Sequence, residues 1–314
     1  MSELFRSQIV SYPRTRHLED SRLQPGDQGM GGVPFAALSS AEVVYEEKVD
    51  GANAAFRFDG AGELYGQSRG HYLNLSDKSV HLERGFNLFK DWLRFHRDEF
   101  LARFEDRYIV YGEWLGVTHT VFYDRLPHLF LEFDIYDLVE ACFLDTPRRR
   151  ELCAGLPIAA VPVLYRGRAR DLTHLKSLVG PSCFKTPASV GSWAVNLARA
   201  CKLVGDDVSA RQVKLDPSDL AEGIYIKVER DGHVIDRLKW VRPSFTQAIL
   251  DADEHWHSRF PVPNLLDAPT DMFPPHLARA EASARSFDSD APWQWAPWIV
   301  ARPPAPTAPG WSPR

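Results

Sequence analysis

Hydrophobic and polar positions alternate with a period of two over several stretches of this chain, and each such stretch predicts a half-buried strand. The first spans residues 42–49 and the second 52–58, followed by the turn signal Asp59-Gly60-Ala61-Gly62. Together residues 42–69 predict a strand meander. Over 86–104 the period becomes helical, with Phe86, Leu88, Phe89, Trp92, Leu93, Phe95, Phe100 and Leu101 forming the apolar side of one amphipathic helix. Strands return at 107–115 and 129–136. Residues 146–205 mix helices with short strands and begin on Thr146-Pro147, a capping pair. The clearest hairpin is 222–242, where two alternating runs flank Asp231-Gly232, a type I′ turn candidate. Helical character returns at 244–258.

This pattern divides the chain into an N-terminal extension (1–40), a main domain (41–243), a helical segment (244–268) and a tail (269–314). The tail is rich in Pro and Ala, a composition that predicts poor order, and its Trp293, Trp295 and Trp298 are candidates to dock back or to bind a partner. The extension is loop-like. Its glycine-rich piece, Pro25 to Gly32, lacks the GK[ST] ending of a P-loop and predicts a flexible loop.

Composition narrows the class. The 314 residues are 44% hydrophobic and 12% aromatic, enough for a substantial core in one large domain or two modest ones. A net charge of -5 excludes wholesale coating of nucleic acid, so such a partner must be gripped by a local basic groove. Candidates are Arg148-Arg149-Arg150, the run Arg166, Arg168 and Arg170, and Arg14, Arg16, His17 and Arg22. The four cysteines form no CxxC pair and no zinc-spaced cluster, which predicts free thiols in a reducing compartment. No apolar run approaches the roughly 18 residues of a membrane helix. The expectation is a soluble, cytoplasmic protein without a membrane partner.

Charged residues interrupt the apolar strands at five places. Lys48 comes first, with Asp50 and Asn53, and Ser68-Arg69-Gly70 closes the next strand. Tyr111-Gly112-Glu113 and Glu132-Phe133-Asp134 follow, then the hairpin with Glu222 at its start and Arg237 and Lys239 on its return strand. A lysine beside an acid and a glycine between two strands is a candidate nucleophile, provided its surroundings free it of its proton. Arg237 and Lys239 are two apart and share a strand face, so they can neutralise a phosphate together. Glu113 and Glu222 can hold a divalent metal through oxygen or water. Phe133 can stack on a base. Plainer roles stand beside these: Phe133 as core, Arg69 and Glu113 as an ion pair, Lys227 as a solvated strand residue, Asp134 and Asp137 as structural. His255 and His257 do not share a helix face, which argues against a metal pair there.

In this order, the segments resemble the motifs of the covalent nucleotidyltransferase superfamily of polynucleotide ligases and capping enzymes. Lys48-Val49-Asp50-Gly51 resembles its KxDG nucleophile motif, Glu222-Gly223-Ile224-Tyr225-Ile226-Lys227 its EGxVxK motif and Arg237-Leu238-Lys239-Trp240-Val241 its KxKxV motif. Asn53 and Phe133-Asp134-Ile135 resemble the nick-sealing-like branch of ATP-dependent RNA ligases. Arg237 departs from the usual lysine and Tyr225 from the usual small apolar residue.

The resemblance implies an α+β nucleotidyltransferase domain, ATP-grasp-like, with antiparallel sheets flanked by helices and no complete C-terminal OB-fold. It implies an ATP-dependent RNA ligase that joins 5′-phosphate and 3′-hydroxyl ends through a lysyl-AMP intermediate. Lys48, Arg237 and Lys239 would be catalytic. Asp50, Asn53, Arg69, Glu113, Phe133, Glu222 and Lys227 would complete the nucleotide site, and Glu113 and Glu222 would hold Mg²⁺ or Mn²⁺. The partners implied are RNA, DNA or hybrid ends and an RNA-repair protein. A DNA nick ligase, a GTP-dependent capping-type enzyme and a non-catalytic nucleic-acid binder are the alternatives.

Overall fold

The alternating runs become strands of one largely antiparallel sheet of eleven strands, which with its flanking helices gives the expected α+β class. The computed structural model describes residues 9–23, 27, 29–204, 215–245, 261–267 and 270–274. The strands are β1 (Arg16–His17), β2 (Glu42–Lys48), β3 (Ala52–Phe58), β4 (Leu64–Ser68), β5 (Tyr108–Trp114) and β6 (Phe130–Asp137), then β7 (Cys142–Leu144), β8 (Ala159–Ala160), β9 (Val163–Arg168), β10 (Gly223–Arg230) and β11 (His233–Val241). The main path runs β4-β3-β5-β6-β7-β11-β10-β2-β9. It makes two wings, β4-β3-β5-β6 and β11-β10-β2-β9, bridged by the short β7.

The predicted meander holds only in part. β3 and β4 form a hairpin across the Asp59–Gly62 turn, but β2 pairs with β10 and β9, not with β3. The connector Val49-Asp50-Gly51 therefore carries the chain from one wing to the other. It is pinned, not free: the Asp50 carboxylate accepts from the Thr120 and Val121 amides at 2.7 and 2.9 Å, and the Asp50 amide donates to Tyr123 Oη at 2.8 Å. Periodicity reports which face a residue occupies and says nothing about which strand lies beside it.

The single helix predicted over 86–104 is two, α1 (Asn87–Phe95) and α2 (Arg97–Phe104). The chain breaks at His96, which turns inward so that Nε2 lies 2.8 Å from the Met272 carbonyl. Phe89, Trp92, Leu93, Phe100 and Phe104 pack with Phe56, Val110 and Phe130 into the larger core. A second core fills the other wing, where Leu18, Phe35 and Leu38 cover Tyr45, Ile224, Ile226, Leu238 and Trp240. Three helices follow in sequence: α3 (Thr146–Cys153), α4 (Leu172–Ser177) and α5 (Ser189–Val204). The cap of α3 is Asp145, whose Oδ1 accepts from the Arg148 amide at 3.1 Å, with Pro147 in the first turn.

The β10–β11 hairpin forms as predicted. Asp231 and Gly232 have φ of 51° and 82°, the left-handed pair that a type I′ turn requires. The helical expectation for 244–258 and the His255-Trp256-His257 segment fall almost wholly outside the described residues, as do Trp293, Trp295 and Trp298. None of the four cysteines forms a disulfide.

Candidate active site

Strand register brings the predicted residues together. Lys48 ends β2 directly opposite Gly223 of β10, and Glu222 just before it accepts from Lys48 Nζ at 2.7 Å. Asn53 on β3 stands opposite Glu113 on β5. Phe133 is aimed by a bulge: Tyr111 pairs with Asp134 and Gly112 with Glu132, which leaves Phe133 as the extra residue. Lys239 on β11 faces the same space, while Leu238 and Trp240 point into the second core. Lys48, Asn53, Arg69, Glu113, Phe133 and Lys239 thus line one cavity of about 230 Å³ between the wings.

Burial sets the charge states. Burial alone would lower the Lys48 pKa, but the carboxylates of Glu222, Glu113 and Asp50 outweigh it and hold the ammonium above its ordinary value. Burial pushes Glu113 up to about 7, against the pull of Lys48 and Arg69. It raises Glu222 and Asp50 as well, with Lys48 opposing in both. Glu113 also accepts from the Gly51 amide at 3.1 Å. Asn53 Oδ1 is buried and has no hydrogen-bond partner among the described residues. The wall around Lys48 is therefore acidic and incompletely paired, a setting that suits added cations.

Four expected site residues, Asp50, Glu222, Lys227 and Arg237, are not on the cavity wall. Lys227 is neither solvated nor on the cavity wall. It is fully buried, with Nζ 2.8 Å from Glu46 and 3.1 Å from Asp134, and it donates to the Phe133 carbonyl. Arg237 shares the face of Lys239, yet its guanidinium lies 3.5 Å from Asp134 and 3.7 Å from the centroid of the Phe143 ring. Asp50 braces the connector from beneath. Asp134 is the shared acid of this layer. Burial would raise it, but Lys227, Arg149 and Arg237 hold it below the usual carboxylate range.

Of the candidate RNA-gripping run 148–150, Arg149 is internal, Arg148 is half-buried and Arg150 is exposed. Arg149 is fully buried and bridges Glu132 and Glu46, each at 2.6 Å. Arg148 pairs with Glu140, and Arg150 donates to the Val161 carbonyl. Arg166 and Arg168 face Glu229 and Glu42 at 3.9 and 3.4 Å. Asp137 is structural, bound to Arg107 at 2.6 Å.

Sequence reasoning missed part of the wall. Tyr12, Thr15 and Asp27 come from the extension and line the cavity beside Arg14, which the sequence had marked as a candidate basic contact. The Tyr12 hydroxyl bonds to Asp134 and Tyr225, and its ring meets Phe133 edge-on at 5.0 Å. Asp27 binds Lys239 at 2.9 Å. These residues carry no periodic signal. Only the neighbouring basic set Arg14, Arg16, His17 and Arg22 pointed to this segment.

The RNA ligase family model matches residues 41–241, more than half of the chain. The chain belongs to the RNA ligase family. The match covers every strand from β2 to β11. Among solved structures, a mutant Naegleria gruberi RNA ligase with ATP and Mn is 16% identical with a TM-score of 0.45, over 74% of this chain and 56% of that one. A second mutant of the same ligase with ATP and Mn gives 16% and 0.46, over 75% and 56%. The chain thus spans a little over half the length of the ligases it is similar to. No curated protein matches it. No helix of this family member is long and apolar enough to cross a membrane, among the described residues.

Proposed function

We propose that this RNA ligase family member is an ATP-dependent RNA ligase that joins 5′-phosphate and 3′-hydroxyl ends through a lysyl-AMP intermediate, with Lys48 as the nucleophile. The observation that carries the reading is the Lys48–Glu222 pair at 2.7 Å, whose lysine lines a cavity that also presents Asn53, Arg69, Glu113, Phe133 and Lys239 while the carboxylate is buried behind it. Lys48 must lose a proton before it can attack the ATP α-phosphate, and Glu222 is the base within reach. Lys239 faces the charge that develops on the phosphates. Phe133 offers a face to the base, Asn53 its unpaired Oδ1 to a donor, and Arg69 a guanidinium to ribose or to the incoming 5′-phosphate. Arg237, set on Asp134 and Tyr12, keeps the cavity floor in place.

The donor set fits Mg²⁺ or Mn²⁺. Glu113 and Glu222 are oxygen ligands raised by burial, and hard divalent ions bind one or two carboxylates with phosphate and water completing the shell. When bound, such an ion would neutralise phosphate charge and favour the neutral amine of Lys48.

The test is label transfer from α-labelled ATP or GTP in Mg²⁺, with Lys48→Ala beside the wild type. Acid-labile label from ATP alone, absent in the variant, supports the reading. Label from GTP points to capping, and sealing only of DNA nicks points to a DNA ligase. Absence of label, with pre-adenylated protein excluded by mass, favours a non-catalytic nucleic-acid binder.

A further inference from the structure

Lys239 is tied into a chain of hydrogen bonds that begins in its own strand. β1 runs parallel to β11 and sets His17 opposite Lys239. Past it, the Val241 amide donates to Ser21 Oγ at 2.9 Å. Ser21 Oγ lies 2.6 Å from His17 Nδ1, and His17 Nε2 lies 2.8 Å from Asp27 Oδ2. The same Oδ2 accepts from Lys239 Nζ at 2.9 Å. The Asp27 carboxylate fixes the polarity of the chain. It can only accept, so Nε2 donates to it, and in a neutral ring Nδ1 then accepts from the Ser21 hydroxyl. His17 is fully buried, and burial holds its pKa below the ordinary value, in keeping with a neutral ring. The backbone closes the loop on itself: Met30 N donates to Asp27 O at 2.9 Å, and His17 N to Met30 O at 2.6 Å.

An ordinary ion pair would account for the 2.9 Å contact alone. It would not account for a carboxylate oriented by a buried histidine and set on the cavity wall beside the lysine it binds, each about one-sixth exposed, at 17% and 16%. Lysine is a flexible point charge with three donors. One donor spent on Asp27 fixes its direction and leaves two for an anion. The carboxylate also offsets the repulsion between Lys239 and nearby Lys48.

We propose that Asp27, oriented by His17 and Ser21, is a positioning residue that holds the Lys239 ammonium against the cavity wall, ready for a nucleotide phosphate. The identity of that anion rests on the ligase reading; the holding of Lys239 does not.

Two measurements on the full chain test this. In the first, lysines are acetylated under limiting reagent and each site is read by peptide mass spectrometry. Asp27→Asn should speed modification of Lys239 about fivefold or more, while Lys176, paired with Asp20 on the surface, keeps its rate and serves as internal control. An unchanged Lys239 rate in a folded variant overturns the proposal, whether or not the protein is a ligase. In the second, single-turnover adenylylation is compared for Asp27→Asn, Lys239→Ala and the double variant. Asp27→Asn should slow the step about tenfold, and the double variant should be no slower than Lys239→Ala, because a positioning residue has nothing left to position. Additive losses overturn the proposal. Absence of label from the wild type itself overturns the ligase reading and leaves the first measurement decisive for Asp27.

Discussion

Lys48 and Glu222 face each other across the β2–β10 ladder at 2.7 Å, the lysine about one-quarter exposed (24%) and the carboxylate almost wholly buried (2%). Removing the lysine leaves that carboxylate without its closest cation. Lys48→Ala should lose about 1–3 kcal/mol of stability near pH 8. The sign with pH follows from Glu222, whose folded pKa is already raised by burial and would rise further without Lys48. An acid raised on folding contributes stability in full below its unfolded pKa and loses it as pH climbs through the folded one. The variant should therefore be closest to the wild type near pH 5. Denaturant titrations at both pH values check this, and an equal gap at both counts against an uncompensated Glu222.

Glu113 titrates in a useful range. Its folded pKa stands at about 7 against an ordinary 4.5, so the wild type loses the corresponding stability between about pH 5 and 8. Glu113→Gln should flatten that part of the profile, gaining about 1–3 kcal/mol on the wild type from the acidic to the basic end. With Glu113 as the proposed metal ligand, protons and a divalent cation would compete for the same oxygen, so stabilisation of the wild type by Mn²⁺ should weaken as pH falls from 8 to 6. Thermal melts with and without Mn²⁺ check both.

Arg149 should prove structural. Arg149→Ala strands Glu46 and Glu132 in the interior without their shared cation and should cost about 3–5 kcal/mol. The fall in denaturation midpoint measures it. Changing both acids to glutamine in the same background should return part of the loss, which a simple cavity effect would not allow.

Gly223 lies where two strands close. A Cβ there would stand 2.0 Å from the Trp240 carbonyl and 2.9 Å from Val241 Cα. Gly223→Ala should destabilise by about 2–3 kcal/mol and weaken the Lys48–Glu222 pair by parting β10 from β11. Midpoint and adenylylation rate should fall together.

Much of this site was legible because strands advertise their functional residues. A lysine, a glutamate or a phenylalanine that breaks an alternating pattern is conspicuous, and Lys48, Glu113, Phe133 and Lys239 did so. The separation of β2 from β3 was hidden, since pairing between Lys48 and Gly223 spans most of the domain and leaves no local periodic trace. Arg149 was misread for a related reason. In a run of three arginines on a polar helix, only the helix's orientation decides which one is buried. Lys227 and Arg237 carry the expected charge, but the acid they serve is Asp134, and no spacing rule reveals a partner about ninety or more residues away. Tyr12 and Asp27 lie in a segment without periodicity, and their position depends on a two-residue strand.

That two-residue strand matters to anyone who would cut this protein to its recognisable core. The family match begins at residue 41. A chain begun there would lack β1 and would open the edge of β11 beside Lys239. It would also strip the seat of Tyr12, exposing Tyr111 and Phe143 of the small third cluster to solvent. The stretch that the family match marks and the stretch that walls the cavity thus have different first residues: Tyr12 lines that cavity, and the Val10 carbonyl accepts from Gln67 and Tyr111.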